Sequence, residues 1–212
     1  MKKKIMITFL ASLTALSFIS MAYGKENNDI YIYNNLKVFF KGVEDHSGKN
    51  GTYQNGKDYI PKTLIYANTT YVPLRYFSNM LGIKEVGWDQ KSLSIWVNSE
   101  KPVADTLDHS IKVESFESYV HTGNSADVLN ITFYPKLRLY FDGKEDTNGK
   151  EGKISNGTKE VPKTLIYKET TYVPLKYFAN QLGIPLEEIG WDPTVPKVWV
   201  GSQGFDSLLN DL

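Results

Sequence analysis

The side chains of this 212-residue chain that could do chemistry are three histidines, a doubled carboxylate motif, one recurring cation and four tryptophans. His46, His109 and His121 are scattered, with no two at i, i+2 or i, i+4, the spacings at which one strand or one helical turn offers two imidazoles to a metal. They read as solvent-exposed loop histidines, and no metal or other cofactor is expected. Glu44-Asp45-x-x-Gly48-Lys49-x-Gly51 returns as Glu145-Asp146-x-x-Gly149-Lys150-x-Gly152. Adjacent carboxylates before a glycine turn could hold a hard cation through oxygen. The loop lacks the acid ladder and closing Glu of a calcium hand and contains a Lys, so a solvated hairpin tip is the preferred reading. Glycoside hydrolysis would need one carboxyl of a pair raised in a cleft, which side-by-side loop acids do not supply.

Arg75 and Lys176 occupy one recurring position. Such a cation could mark a ligand site, or could pair with Asp89 or Asp192 and pin a helix to a sheet, which is the reading preferred here. Trp88, Trp96, Trp191 and Trp199 match pairwise. Aromatic faces can stack on sugars or fill the core of a small domain. Trp88 and Trp191 are assigned to the core. Trp96 and Trp199 fall out of phase with Ile95 and Val97, and with Val198 and Val200, and are the candidate surface-contact residues. The chain contains no nucleophile elbow, no phosphate-cradling glycine loop and no RNA-reading aromatic motif. No catalytic residue is assigned, and the chain is expected not to be an enzyme.

Composition narrows the partners. Lys plus Arg and Asp plus Glu both number 24, so no basic field gathers phosphates and nucleic acid is not an expected partner. The absence of cysteine excludes disulfides, zinc–thiolate sites and a cysteine nucleophile. An apolar fraction of 41% with 13% aromatic residues suits a folded protein. Lys2-Lys3-Lys4, the apolar run Ile5 to Ile19, and Ala22-Tyr23-Gly24 form the charged, apolar and small-residue zones of a secretory signal peptide, residues 1–24. A secreted or envelope-associated protein is expected, with no membrane contact after cleavage. An uncleaved anchor is the alternative.

The elements that must position these residues are written twice. KTLIY at 62–66 returns at 163–167, and TTYVPL at 69–74 returns at 170–175. From Leu36 to Ile83, 28 of 48 positions are identical to those 101 residues later. The copies span 29–98 and 130–201, joined by a connector at 99–129 and followed by a tail at 202–212. Leu36, Val38 and Phe40 alternate as a half-buried strand does. Leu64 to Tyr66 and Thr70 to Val72 read as short strands around a turn at Ala67-Asn68. Pro73 opens a helix whose face is Leu74, Phe77 and Leu81, and Gly82 ends it. A closing hairpin runs through Trp88, Asp89 and Ile95. Ser110 to Val120 of the connector alternates enough for one more strand.

In both copies a Pro opens a short strand, T-T-Y-V-P-L-[RK]-Y-F follows, then L-G at the helix end and a W-D hairpin. This order resembles the copper amine oxidase N-terminal, or stalk, domain family. The matching residues are Pro61, Tyr71, Pro73, Arg75, Gly82, Trp88 and Asp89, and Pro162, Tyr172, Pro174, Lys176, Gly183, Trp191 and Asp192. Lys176 and the long Gly-rich hairpin between Gly42 and Pro61 depart from the family pattern. The resemblance implies an α+β fold: two tandem small domains, each a curved, mainly antiparallel sheet packed around one short helix. It implies exported bacterial proteins, not an oxidase, because the copper-bearing catalytic domain is missing. The expected role is binding, spacing or assembly at a bacterial cell envelope, with an envelope protein or cell-wall glycan as partner. Carbohydrate binding is the alternative, and contact through an outer sheet face, not a pocket, is expected.

Overall fold

Each copy folds as its local signals dictate. The computed structural model describes residues 29–49, 51–102, 113–122, 125–192 and 194–201; the expected signal segment, His109 and the tail lie outside the described residues. The first copy gives β1 (Ile30–Ile32), β2 (Lys37–Phe40), β3 (Val43–Glu44), β4 (Thr52–Asn55), β5 (Asp58–Pro61), β6 (Leu64–Tyr66), β7 (Thr69–Pro73), α1 (Leu74–Met80), β8 (Val86–Asp89) and β9 (Ser94–Val97). The connector adds β10 (Glu114–Thr122), which begins later and ends two residues further on than the strand anticipated over Ser110 to Val120; residues 110–112 of that span lie outside the described residues. β11 (Ser125–Phe133) runs from the connector into the second copy, which then gives β12 (Arg138–Phe141), β13 (Lys144–Glu145), β14 (Lys153–Ser155), β15 (Glu160–Pro162), β16 (Leu165–Tyr167), β17 (Thr170–Pro174), α2 (Leu175–Gln181), a 3-10 turn at Leu186–Glu188, β18 (Ile189–Asp192) and β19 (Lys197–Val200).

Pro73 and Pro174, in extended backbone, turn a strand directly into a helix. Gly82 and Gly183, at φ of 82° and 76°, stop both helices in the left-handed region that glycine tolerates. On α1 the buried face is Leu74, Tyr76, Phe77 and Ser78. Leu81, expected on that face, is the half-buried cap residue instead.

The fold is mainly β with two short helices, and its sheets do not respect the copy boundaries. β2 lies parallel to β19, with Val38 beside Val198, in a sheet of order β18-β19-β2-β3. Reciprocally, β12 lies parallel to β9, with Leu139 beside Ile95, in a sheet of order β13-β12-β9-β8. Each closing hairpin therefore receives a strand of the other copy, β2 or β12. The copies were expected to form two tandem small domains; the strands instead cross between 29–98 and 130–201 in both directions.

A closed barrel, β1-β10-β11-β16-β17-β7-β6, joins the copies again. β7 and β17 pair antiparallel through Val72 and Val173. Across the barrel, connector strand β10 fills the gap between β1 and β11, parallel to the first and antiparallel to the second. Closure removes free strand edges from this part of the fold. The barrel is filled by Ile30, Leu64, Tyr71, Ile131, Leu165 and Tyr172. A second core contains residues from both helices and both four-stranded sheets. There Phe77 and Phe178 meet edge to face, their ring centroids 5.8 Å apart. Truncating either ring to Ala would cost about 3–5 kcal/mol.

Candidate functional site

The doubled carboxylate motif is structural. The side chains of Asp45 and Lys62 are both only 5% exposed, and their charged atoms lie 2.8 Å apart; Asp146 and Lys163 repeat the pair at 2.8 Å. Tyr76 donates a hydrogen bond to Asp45, and Tyr177 does the same to Asp146. Burial would raise the Asp45 carboxyl, but hydrogen bonds from Lys62, Tyr76 and Ser47 outweigh it and hold the pKa at about 2. Asp146 is lowered by the same balance. Burial, reinforced by the adjacent carboxylate, pushes the Tyr76 and Tyr177 phenols upward, so both stay neutral donors. These acids are thus not solvated hairpin tips. They fasten the Gly-rich loop to the start of the KTLIY strand and to the helix. Among the described residues no group of three or more His, Asp or Glu is placed to hold a metal ion.

His46 remains exposed, 3.9 Å from Glu44. His121 does not lie in a loop: it sits on β10, its ring stacked on Tyr31 and its Nε2 3.0 Å from Asp29. The contact fastens β10 beside β1 at the barrel seam.

Arg75 and Lys176 are exposed on their helices, and the expected ion pairs with the hairpin acids are replaced by others. Asp89 is 3.0 Å from Lys101 and accepts from Ser92; hydrogen bonds from these groups lower its pKa. Asp192 accepts from Thr194 and lies 3.9 Å from Lys197. The two helix cations instead line two related clefts.

The first cleft, about 570 Å³, is lined by Arg75, Asn79, Trp88 and Tyr53 of the first copy and by Tyr134 and Thr170 of the second. Its counterpart, about 460 Å³, is lined by Lys176, Asn180, Trp191 and Ile154 of the second copy and by Asn68 and Thr69 of the first. In each, an asparagine of the β4–β5 or β14–β15 hairpin clamps a turn of the other copy. Asn55 Nδ2 donates to Thr170 Oγ1 at 3.3 Å, and Asn156 Nδ2 to Thr69 Oγ1 at 2.9 Å. Each cleft thus exists only because the two copies interlock.

Of the four tryptophans, Trp88 departs from expectation. Trp88 is opposite Ile95 and shares its inward face, but β8 is the outer strand of its sheet, so the core ends there. Trp88 is 39% exposed, its ring 5.7 Å from Tyr134. The assignment of Trp88 to the core is therefore corrected: it lines the cleft. Trp191 is half-buried against Tyr33 at 5.2 Å. Trp96 and Trp199 take the outward phase and lie flat across a glycine of the neighbouring strand. A Cβ at Gly87 would meet Trp96 at 2.0 Å, and one at Gly190 would meet Trp199 at 1.8 Å. Both indoles are half-buried, covering bare backbone.

The aromatic and hydroxyl side of the first cleft, Tyr53, Tyr134 and Thr170, escaped sequence reasoning. Tyr53 stacks on Tyr76 at 4.7 Å. Burial pushes its phenol up to about 12, offset in part by a hydrogen bond with Thr170 and by the Arg75 charge. The signal for Tyr53 was the long Gly-rich hairpin itself, which supplies one wall of the cleft.

Neither a scan against protein-family models nor searches of curated proteins and of solved structures found a match to this chain.

Proposed function

We propose that this chain is an exported, non-catalytic binding protein of a bacterial cell envelope, in which two stalk-like copies hold a partner or space it from the surface. One observation carries the reading: the same motif residues, a helix cation and a hairpin tryptophan, line a cleft twice, and each cleft needs a turn from the other copy. Duplicated, solvent-open recognition surfaces suit attachment or assembly. The motif order shared with stalk domains supports that kinship, with each helix on a curved sheet as the kinship implies. On this reading the working unit is the interlocked pair and not the single copy. The zones of residues 1–24 support export.

Wall glycan is the second reading for the partner, favoured by Trp88, whose exposed ring stands beside Tyr134. The test is sedimentation of the mature chain with purified bacterial cell walls, next to a Trp88→Ala/Trp191→Ala variant. Retention by the parent chain, lost in the variant at an unchanged melting temperature, is the expected result. No retention above an inert control protein would contradict the envelope reading.

A further inference from the structure

The two clefts have diverged. The first keeps Tyr53, Trp88 and Tyr134 together with a donor, Arg75, an acceptor, Glu169, and an amide that does both, Asn79. In the second, Tyr53 is replaced by Ile154 and Glu169 by Asn68, and Leu186, 51% exposed, joins the wall. We propose that the first cleft is a saccharide subsite that holds two or three units of an uncharged pyranose chain; this rests on the wall-glycan form of the envelope reading.

Three properties select that ligand. A pyranose ring has a face of C–H groups whose positive edges suit the electron-rich face of an indole or phenol. Trp88, exposed beside Tyr134, offers such a surface at the cleft. A pyranose also has hydroxyls that donate and accept at once, and these match a planar cation and a planar carboxylate in the same cleft, Arg75 and Glu169, with the Asn79 amide beside them. Because one cation is set against one anion, the cleft has no net charge to prefer an acidic ligand. The volume, about 570 Å³, falls within the range of small-molecule sites. The Thr164 hydroxyl, 1% exposed, also lines the cleft and, like that of its first-copy equivalent Thr63, has no hydrogen-bond partner among the described residues.

The experiment is a titration of the mature chain with the β-1,4-linked trimer of N-acetylglucosamine, followed by the indole N–H resonances in ¹H–¹⁵N spectra, with Trp88 assigned by Trp88→Phe. A saturable shift of the Trp88 resonance, with Trp96 and Trp199 unmoved, is expected. Arg75→Ala and Asn79→Ala change exposed side chains and should weaken binding about five- to tenfold each, the loss of one hydrogen bond, at an unchanged melting temperature. No shift at millimolar trimer, or a shift confined to Trp191, overturns the proposal. A saturable Trp88 shift given by a wall-stem pentapeptide and not by the trimer also overturns it, in favour of a peptide site. In each of these cases wall sedimentation can still succeed, so the envelope reading stands or falls on its own assay.

Discussion

Tyr71 donates its hydroxyl hydrogen to the carbonyl oxygen of Pro162 at 2.7 Å, so the central tyrosine of one copy is fastened to the backbone of the other. Tyr172 returns the contact to Pro61 at 2.8 Å. Both tyrosines are fully buried inside the barrel, and burial pushes both phenols well above their ordinary value, which keeps them as donors. The repeated TTYVPL motif thus serves an interface between copies.

Tyr71→Phe and Tyr172→Phe should each destabilise the chain by about 1–3 kcal/mol, because each leaves a carbonyl without its donor inside the barrel. The pseudo-symmetry of the contacts predicts similar losses for the two variants. Urea unfolding measures both, and a loss near zero for either would show that its hydroxyl is satisfied elsewhere.

Acid should weaken the fold over a defined window. Asp45 stays ionised in the folded chain down to about pH 2, whereas an unfolded aspartate takes up its proton near about 3.9. The stabilisation is therefore complete above about pH 4 and is lost as pH falls from about 4 to 2, amounting to roughly 2–3 kcal/mol. Asp146 shifts in the same direction and adds to the slope. Urea midpoints at pH 6, 4 and 3 measure the effect. Asp45→Asn should be less stable at pH 6 and should lose less on acidification. An acid slope identical to the parent's would remove Asp45 as its source.

Gly87→Ala should cost about 1–3 kcal/mol by overpacking, since the added methyl falls 2.0 Å from the Trp96 ring. The same change in a Trp96→Ala background should cost distinctly less, a coupling that thermal melts of the four variants would show. Additive losses would mean that Trp96 does not cover Gly87. Gly190 and Trp199 offer the same cycle in the second copy.

The helix limits were legible because Pro73 and Gly82 act locally, through fixed φ and a left-handed stop. The strand exchange was not. Val38 and Leu139 stand at equivalent positions of copies that share one apolar pattern, so a strand that suits one closing hairpin also suits the other. Alternation shows which side of a strand is apolar but not which hairpin receives it. Trp88 was misplaced for a related reason: its phase is inward, yet only the sheet order reveals that β8 is an outer strand. Asp45 looked like a loop acid because its partner Lys62 is 17 residues away and only folding brings the two together. Arg75 was singled out by its recurrence, but the expected pairing with Asp89 is made by Lys101 instead, and the cleft that Arg75 lines became visible only when the second copy supplied Thr170 and Tyr134.

The interlocking of the copies is tested most directly by a cross-link, and the chain's lack of cysteine leaves the background empty. Lys37 and Lys197 are direct register partners on the parallel strands β2 and β19, one from each copy. Neighbouring strands lie about 4.8 Å apart, within the Cα range of a disulfide. Lys37→Cys/Lys197→Cys, oxidised at low protein concentration, should lose both free thiols while the chain remains monomeric by mass, and either single variant should leave its thiol free. Two free thiols in the folded double variant, or a disulfide found only between chains, would contradict the exchange of strands between copies.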